Sequence, residues 1–175
     1  LGDVYKRQLY VMIVLGLTMG MQPIVGYNFG AQKIDRVKQT LKLGIVSGVV
    51  ITSSGFFICE LFPHAVSAIF TDSDHLIDLA VDGLRITVIM FPFVGAQIVI
   101  GNFFQSIGKA KISIFLSLTR QLLYLLPCLL LFPNWWGLKG IWISMPVSDA
   151  LAFITAVISL IIYIKKVSKQ HLIAE

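Results

Sequence analysis

The sequence predicts an all-α integral membrane protein that crosses the bilayer with five helices. Three observations predict it. Of the 175 residues, 57% are hydrophobic and 13% charged, where a soluble domain has about a quarter of its residues charged; the mean hydropathy is +0.85. Five apolar runs approach the roughly 20 helical residues that a hydrocarbon core demands. The Lys and Arg residues gather in alternate connections between those runs, as the positive-inside rule requires of a chain that winds in and out.

Taken in order, the spans cover residues 9–29, 41–62, 86–107, 112–132 and 140–164. Each contains proline or glycine, which membrane helices tolerate because neighbouring helices re-satisfy the freed backbone groups. None shows the period-2 alternation of a transmembrane β-strand. Between the first two spans lie Lys33, Arg36 and Lys38, with Lys42 just inside the second, against Asp35. The connection to the third span carries Glu60, Asp72, Asp74, Asp78 and Asp82, with Arg85 its one cation. The turn GKAK, at 108–111, is basic again. PNWWGLK, at 133–139, carries Lys139 and paired tryptophans suited to an interfacial belt. Lys165, Lys166 and Lys169 follow the last span. Residues 30–41, 108–111 and the C-terminus are therefore read as cytoplasmic, and 63–85 and 132–140 as external.

Domain organisation follows. Residues 9–166 form one transmembrane bundle, and 167–175 a cytoplasmic tail. LGDVYKRQ, at 1–8, conflicts with the alternation, since Lys6 and Arg7 would lie outside. With the apolar run behind it, it looks like a signal peptide, but no small-x-small cleavage site follows. It is expected to be a non-native or unstructured lead.

Polar residues inside the spans are the functional candidates, because lipid penalises them. Gln97, Gly101 and Gln105 fall at i, i+4 and i+8 of the third span, with Asn102 near the same face. This stripe suits either amides bonding to a neighbouring helix or the wall of a wet, substrate-facing cavity. Ser113, Ser117, Arg120 and Tyr124 follow at helical spacing in the fourth span, and Asp149 stands in the fifth. On a rise of about 1.5 Å per residue from the external turn, Arg120 lies roughly 16 Å deep and Asp149 roughly 13 Å. The two are expected to form an intramembrane charge pair, acting as a static orienting pair or as a relay. Gly16/Gly20 and Gly44/Gly48 are G-x-x-x-G pairs that permit close helix approach.

Other chemistries find little support. There is no G-x-S-x-G, H-E-x-x-H or P-loop. His64, His75 and His171 are scattered, and the aspartates from 72 to 82 do not follow the calcium-loop pattern, so no metal site is expected. Cys59 and Cys128 sit in apolar runs and form no disulfide framework. The net charge of +5 is a topology signal, not a nucleic-acid footprint.

Three segments carry a family resemblance. GMQPIVGYNFGA followed by KIDRVKQTLK, then FFQSIGKAKISIFLSLTRQLLYLLP, then GLKGIWISMPVSDALAF occur in order with fitting loop lengths. Together they resemble the MATE (multidrug and toxic compound extrusion) family of efflux transporters. The resemblance implies that these five helices form most of the C-terminal six-helix bundle of a twelve-helix transporter, helices eight to twelve, with an N-terminal bundle missing. It implies antiport of a small amphipathic or cationic organic compound against H+ or Na+, with no cofactor, in a prokaryotic cytoplasmic membrane. Gln97, Asn102, Gln105 and Tyr124 become substrate-pathway candidates, and Gln22, Pro23, Gly26, Asn28 and Gly30 a motif at the cytoplasmic mouth. The family's coupling carboxylates include one on the tenth helix in some subgroups, and 86–107 carries no Asp or Glu. Rival readings are a lipid-linked oligosaccharide flippase of the same superfamily, a membrane-embedded enzyme and a non-transporting scaffold.

Overall fold

The computed structural model describes residues 2–68 and 74–174. Asp72, and the side chains of Lys6, Arg7, Asp74, His75, Lys169 and His171, lie outside what is described. Every described element is helical: α1 Gly2–Gly30, α2 Ile34–Leu61, α3 Pro63–Ala68, α4 Asp74–Val88, α5 Phe91–Ser106, α6 Ala110–Leu118, a π-helical segment Thr119–Leu125, α7 Leu126–Trp136 and α8 Leu138–Ala174. The backbone of residues 2–8 continues α1 rather than preceding it as a separate lead.

Among the described residues, four helices are long and apolar enough to cross a membrane: Val11–Gly30, Ile34–Leu61, Ala110–Trp136 and Leu138–Val167. A fifth crossing requires Leu76–Val88 and Phe91–Ser106 to be taken together across a bend of 50°. The expected third span, a single helix over 86–107, is thus corrected to a broken one. The cause is Pro92, whose ring would strike the Val88 carbonyl and which donates no N–H, so α4 stops at Val88 and α5 restarts at Phe91. Pro127 acts differently. The helix before it widens into π turns, with Leu126 N–H donating to the Gln121 carbonyl, and continues into α7 without a break.

α5 is the centre of the bundle, packed against α1, α2 and α8. Its Val99, Ile100, Phe103 and Phe104 meet Val14 and Val25 of α1, Leu41 of α2 and Ala156 of α8 in one buried cluster. Outward faces are apolar as well: Met19, Leu43, Val50 and Leu123 are exposed, as surfaces bathed in lipid should be. Glycine permits the tightest crossing. A Cβ on Gly95 of α5 would strike the Gly48 carbonyl oxygen of α2, and would lie 2.6 Å from the Gly48 carbonyl carbon and from Thr52 Oγ1. Thr52 completes that crossing, donating to the Gly48 carbonyl at 2.9 Å and lying 3.3 Å from the Pro92 carbonyl. The G-x-x-x-G pair at Gly44 and Gly48 therefore packs, whereas a Cβ at Gly16 or Gly20 would meet nothing within 4 Å.

Candidate functional site: a polar cavity between α5 and the π-helical segment

The amides of α5 open onto a cavity of about 250 Å³. Gln97, Gly101, Asn102 and Gln105 form one wall. Ser113 and Ser117 of α6, with Arg120 and Gln121 of the π-helical segment, form the other, and Leu15 of α1 contributes an apolar edge. Three of the sequence's pathway candidates, Gln97, Asn102 and Gln105, thus share one space. They differ in exposure: Gln97 is buried, Asn102 half-buried and Gln105 exposed.

Their hydrogen bonds differ too. Asn102 Nδ2 donates to the Ile98 carbonyl at 2.9 Å, and its Oδ1 receives Gln22 Nε2 at 3.4 Å. Gln22 is thereby the member of the mouth motif that reaches toward the cavity. One turn on, Gly26 faces Ser106, whose carbonyl oxygen would stand 3.4 Å from a Cβ at that glycine. Gln97 Oε1 is buried and accepts no hydrogen bond from the described residues. An acceptor left so in a low-dielectric interior costs about 1–3 kcal/mol.

Arg120 carries the charge of this wall. Its Nε and Nη2 reach Asp149 Oδ1 of α8 at 3.0 and 2.8 Å. The Asp149 side chain is 3% exposed and that of Arg120 27%, so the carboxylate is enclosed while the guanidinium stays open to the cavity it lines. The pair ties the π-helical segment to α8. One turn further, Tyr124 Oη and Thr155 Oγ1 share a hydrogen bond of 2.8 Å. Tyr124 does not line the polar cavity; its phenol is part of the same seam.

The remaining mouth residues cluster at the end of α1. Asn28 is buried, its Nδ2 donating to the Ile24 carbonyl at 2.8 Å and its carbonyl accepting the Lys33 N–H at 2.9 Å. Pro23 is exposed and lies inside α1. Gly30 lines a larger cleft of about 990 Å³ together with Gln32, Lys109, Tyr163 and Lys166. The three basic segments of the chain therefore meet at one end of the bundle. No group of three or more metal-binding side chains occurs among the described residues.

Gln121 and Thr155 are the residues that sequence reasoning passed over. Gln121 had a signal: Ser113, Ser117 and Gln121 repeat the i, i+4, i+8 spacing of Gln97, Gly101 and Gln105. Thr155 had none, because its role depends on how the two helices are turned toward each other.

Fold and site together define a polytopic helical membrane bundle whose polar groups converge on an interior cavity. The chain belongs to the MatE family, whose model matches residues 7–130. Multidrug export protein MepA of Staphylococcus haemolyticus (strain JCSC1435) is 25% identical over 140 residues, covering 80% of this chain and 30% of the relative. The MATE multidrug transporter DinF-BH, solved in a ligand complex, is 37% identical with a TM-score of 0.83, covering 89% of this chain and 35% of that one. An outward-facing multidrug resistance MATE family transporter of the MOP superfamily shares the fold at 19% identity, with a TM-score of 0.89 over 96% of this chain and 38% of that one. The chain spans about a third of the length of the relatives it matches.

Proposed function

We propose that this chain forms most of the C-terminal bundle of an exporter of drugs or other amphipathic organic compounds, driven by H+ or Na+ antiport. On this reading, a second, N-terminal bundle completes the transporter, and the two rock about a shared cavity in alternating access. Ion binding favours one arrangement and substrate the other. The protein lies in a prokaryotic cytoplasmic membrane, with the basic end and the C-terminus on the cytoplasmic side.

One observation carries the reading. In a MatE-family chain, the amides Gln97, Asn102 and Gln105 line a common cavity with Arg120, where pure helix glue would leave no space between the walls. The buried carboxylate Asp149 is engaged by Arg120, so the driving ion's carboxylates are assigned to the completing bundle. Oligosaccharide flipping is less well supported, because Arg120 is the one Lys or Arg lining the cavity among the described residues.

The test is dye efflux from cells or proteoliposomes containing the full-length transporter, under imposed sodium or pH gradients. Efflux that follows one gradient, and that falls in an Asn102→Leu/Gln105→Leu variant of normal abundance, is expected. Gradient-independent retention of dye by a well-expressed protein would refute the proposal.

A further inference from the structure

The larger cleft, of about 990 Å³, lies where the basic segments meet, and it joins charge to apolar surface. Lys109, at the start of α6, and Lys166, near the end of α8, line it together with Ile112, Phe115 and Ile162. On a rise of about 1.5 Å per residue, Phe115 lies about 9 Å along α6 from Lys109, and Ser159 about 10 Å along α8 from Lys166. The cleft therefore runs from the charged end of the bundle into the roughly 15 Å of hydrocarbon that one leaflet supplies. Its walls are fixed by the core. Gly108, at φ +73°, turns the chain out of α5, and the Lys109 N–H donates to the Phe104 carbonyl at 2.8 Å. The Tyr163 ring, on the α8 wall, packs edge-on to Phe104 with centroids 5.5 Å apart. No Asp or Glu lines the cleft among the described residues, and neither lysine joins the ion pairs Arg85–Glu60 and Arg120–Asp149. Lysines that only set topology need no concavity. Two uncompensated ammonium groups bordering an apolar cleft at a leaflet surface match an anionic headgroup above its acyl chains.

We propose that this cleft binds an anionic phospholipid of the leaflet at the basic end, its phosphate held by Lys109 and Lys166 and an acyl chain laid along Ile112, Phe115 and Ile162. Selectivity comes from the charges, because a tail that leaves the bilayer for the cleft exchanges one apolar surrounding for another. A helix of a completing bundle would have to bring carboxylates to offset the two ammonium groups, whereas an anionic lipid supplies the charge and already sits at that depth. The inference is separate from the exporter reading and needs only that the basic end lies at a leaflet surface.

Native mass spectrometry of the purified full-length transporter, titrated with dioleoyl phosphatidylglycerol or dioleoyl phosphatidylcholine, compares an anionic with a zwitterionic headgroup on the same chains. Each lysine near a headgroup contributes about fivefold in affinity, so the anionic lipid should bind about 25-fold more tightly. Lys109→Gln/Lys166→Gln, at two exposed positions, should remove most of that preference. Lys33→Gln/Arg36→Gln lowers the charge of the same end equally but outside the cleft, and should keep it. Ile112→Trp fills the apolar part with both charges intact; it should also weaken phosphatidylglycerol binding, and it stands in if the lysine variant fails to fold. Glycerol 3-phosphate, the headgroup without chains, should not displace the lipid at equal concentration. No preference in the unaltered protein, equal losses in the two double variants, or displacement by glycerol 3-phosphate would each overturn the inference. The first of these is the result that a cleft covered by the completing bundle would give. Absent dye efflux with the lipid preference intact would instead overturn the exporter reading and leave this one standing.

Discussion

Gly95→Ala tests the packing that holds α5, and hence the cavity wall, in place. The added Cβ would strike the Gly48 carbonyl oxygen and stand 2.6 Å from two further atoms, where ordinary contact begins at 3.4 Å. The obstructing atoms are largely backbone, so no side-chain rotation relieves them. The two helices would have to part by about 1 Å, forfeiting up to about half of the dispersion energy across the crossing. They would also draw Thr52 Oγ1 away from the Pro92 carbonyl, which it reaches only at 3.3 Å. Overpacking typically costs about 1–3 kcal/mol, and a backbone-on-backbone case belongs at the upper end. Alanine returns about 1 kcal/mol of helix propensity. The net loss is about 2 kcal/mol, or about 4–8 °C in Tm by the scaling for chains of this size. Thermal unfolding in detergent, followed by size-exclusion chromatography with tryptophan detection, measures it. Gly101→Ala is the control on the same helix, since a Cβ there meets nothing within 4 Å. A Gly95→Ala protein that melts no lower than the Gly101→Ala protein would refute the reasoning.

Further outcomes follow from the α7–α8 side. Removing one partner of the Arg120–Asp149 pair, as in Arg120→Leu, should destabilise by about 3–5 kcal/mol through the charge left buried; the exchange Arg120→Asp with Asp149→Arg should recover part of that in a thermal shift assay, and a double variant no better than either single would disprove the coupling. Tyr124→Phe and Thr155→Val remove the ends of one 2.8 Å hydrogen bond. Each should cost about 0.6–2 kcal/mol, and the double variant should cost little more than one alone when measured as a thermodynamic cycle. Gly137 holds φ +56° and ψ −135° in the turn before α8, so Gly137→Ala should lower stability by about 1–3 kcal/mol in the same unfolding assay.

Much of the fold was legible because lipid imposes simple rules. Backbone groups must be satisfied within a helix, so apolar length alone located α1, α2, α8 and the α6–α7 crossing. Pro92 and Pro127, two of the prolines within crossings, were visible, but not their opposite consequences. Pro92 ended a helix and Pro127 was absorbed by π turns, because neighbouring packing decides whether a freed carbonyl finds another donor. The twin G-x-x-x-G pairs looked alike and behaved differently, since only Gly48 lies where another backbone, that of Gly95, crosses it.

The site divides in the same way. Gln97, Asn102 and Gln105 were identifiable from spacing along one helix, and the depths of Arg120 and Asp149 followed from the helical rise. Whether the stripe met another helix or a space depended on rotations that no single-helix pattern contains. Sequence alone determined that this chain is helical, embedded in lipid, basic at alternate connections and polar at a few buried positions, because each of those is a local response to solvent. Tertiary structure decided that the amides face a cavity, that Gln97 lacks a described donor, that Tyr124 bonds Thr155 instead of lining the cavity, and that Arg120 is shared between Asp149 and the open space. Those are relations between helices, and the angle and register at which two helices meet are set by all of their contacts together.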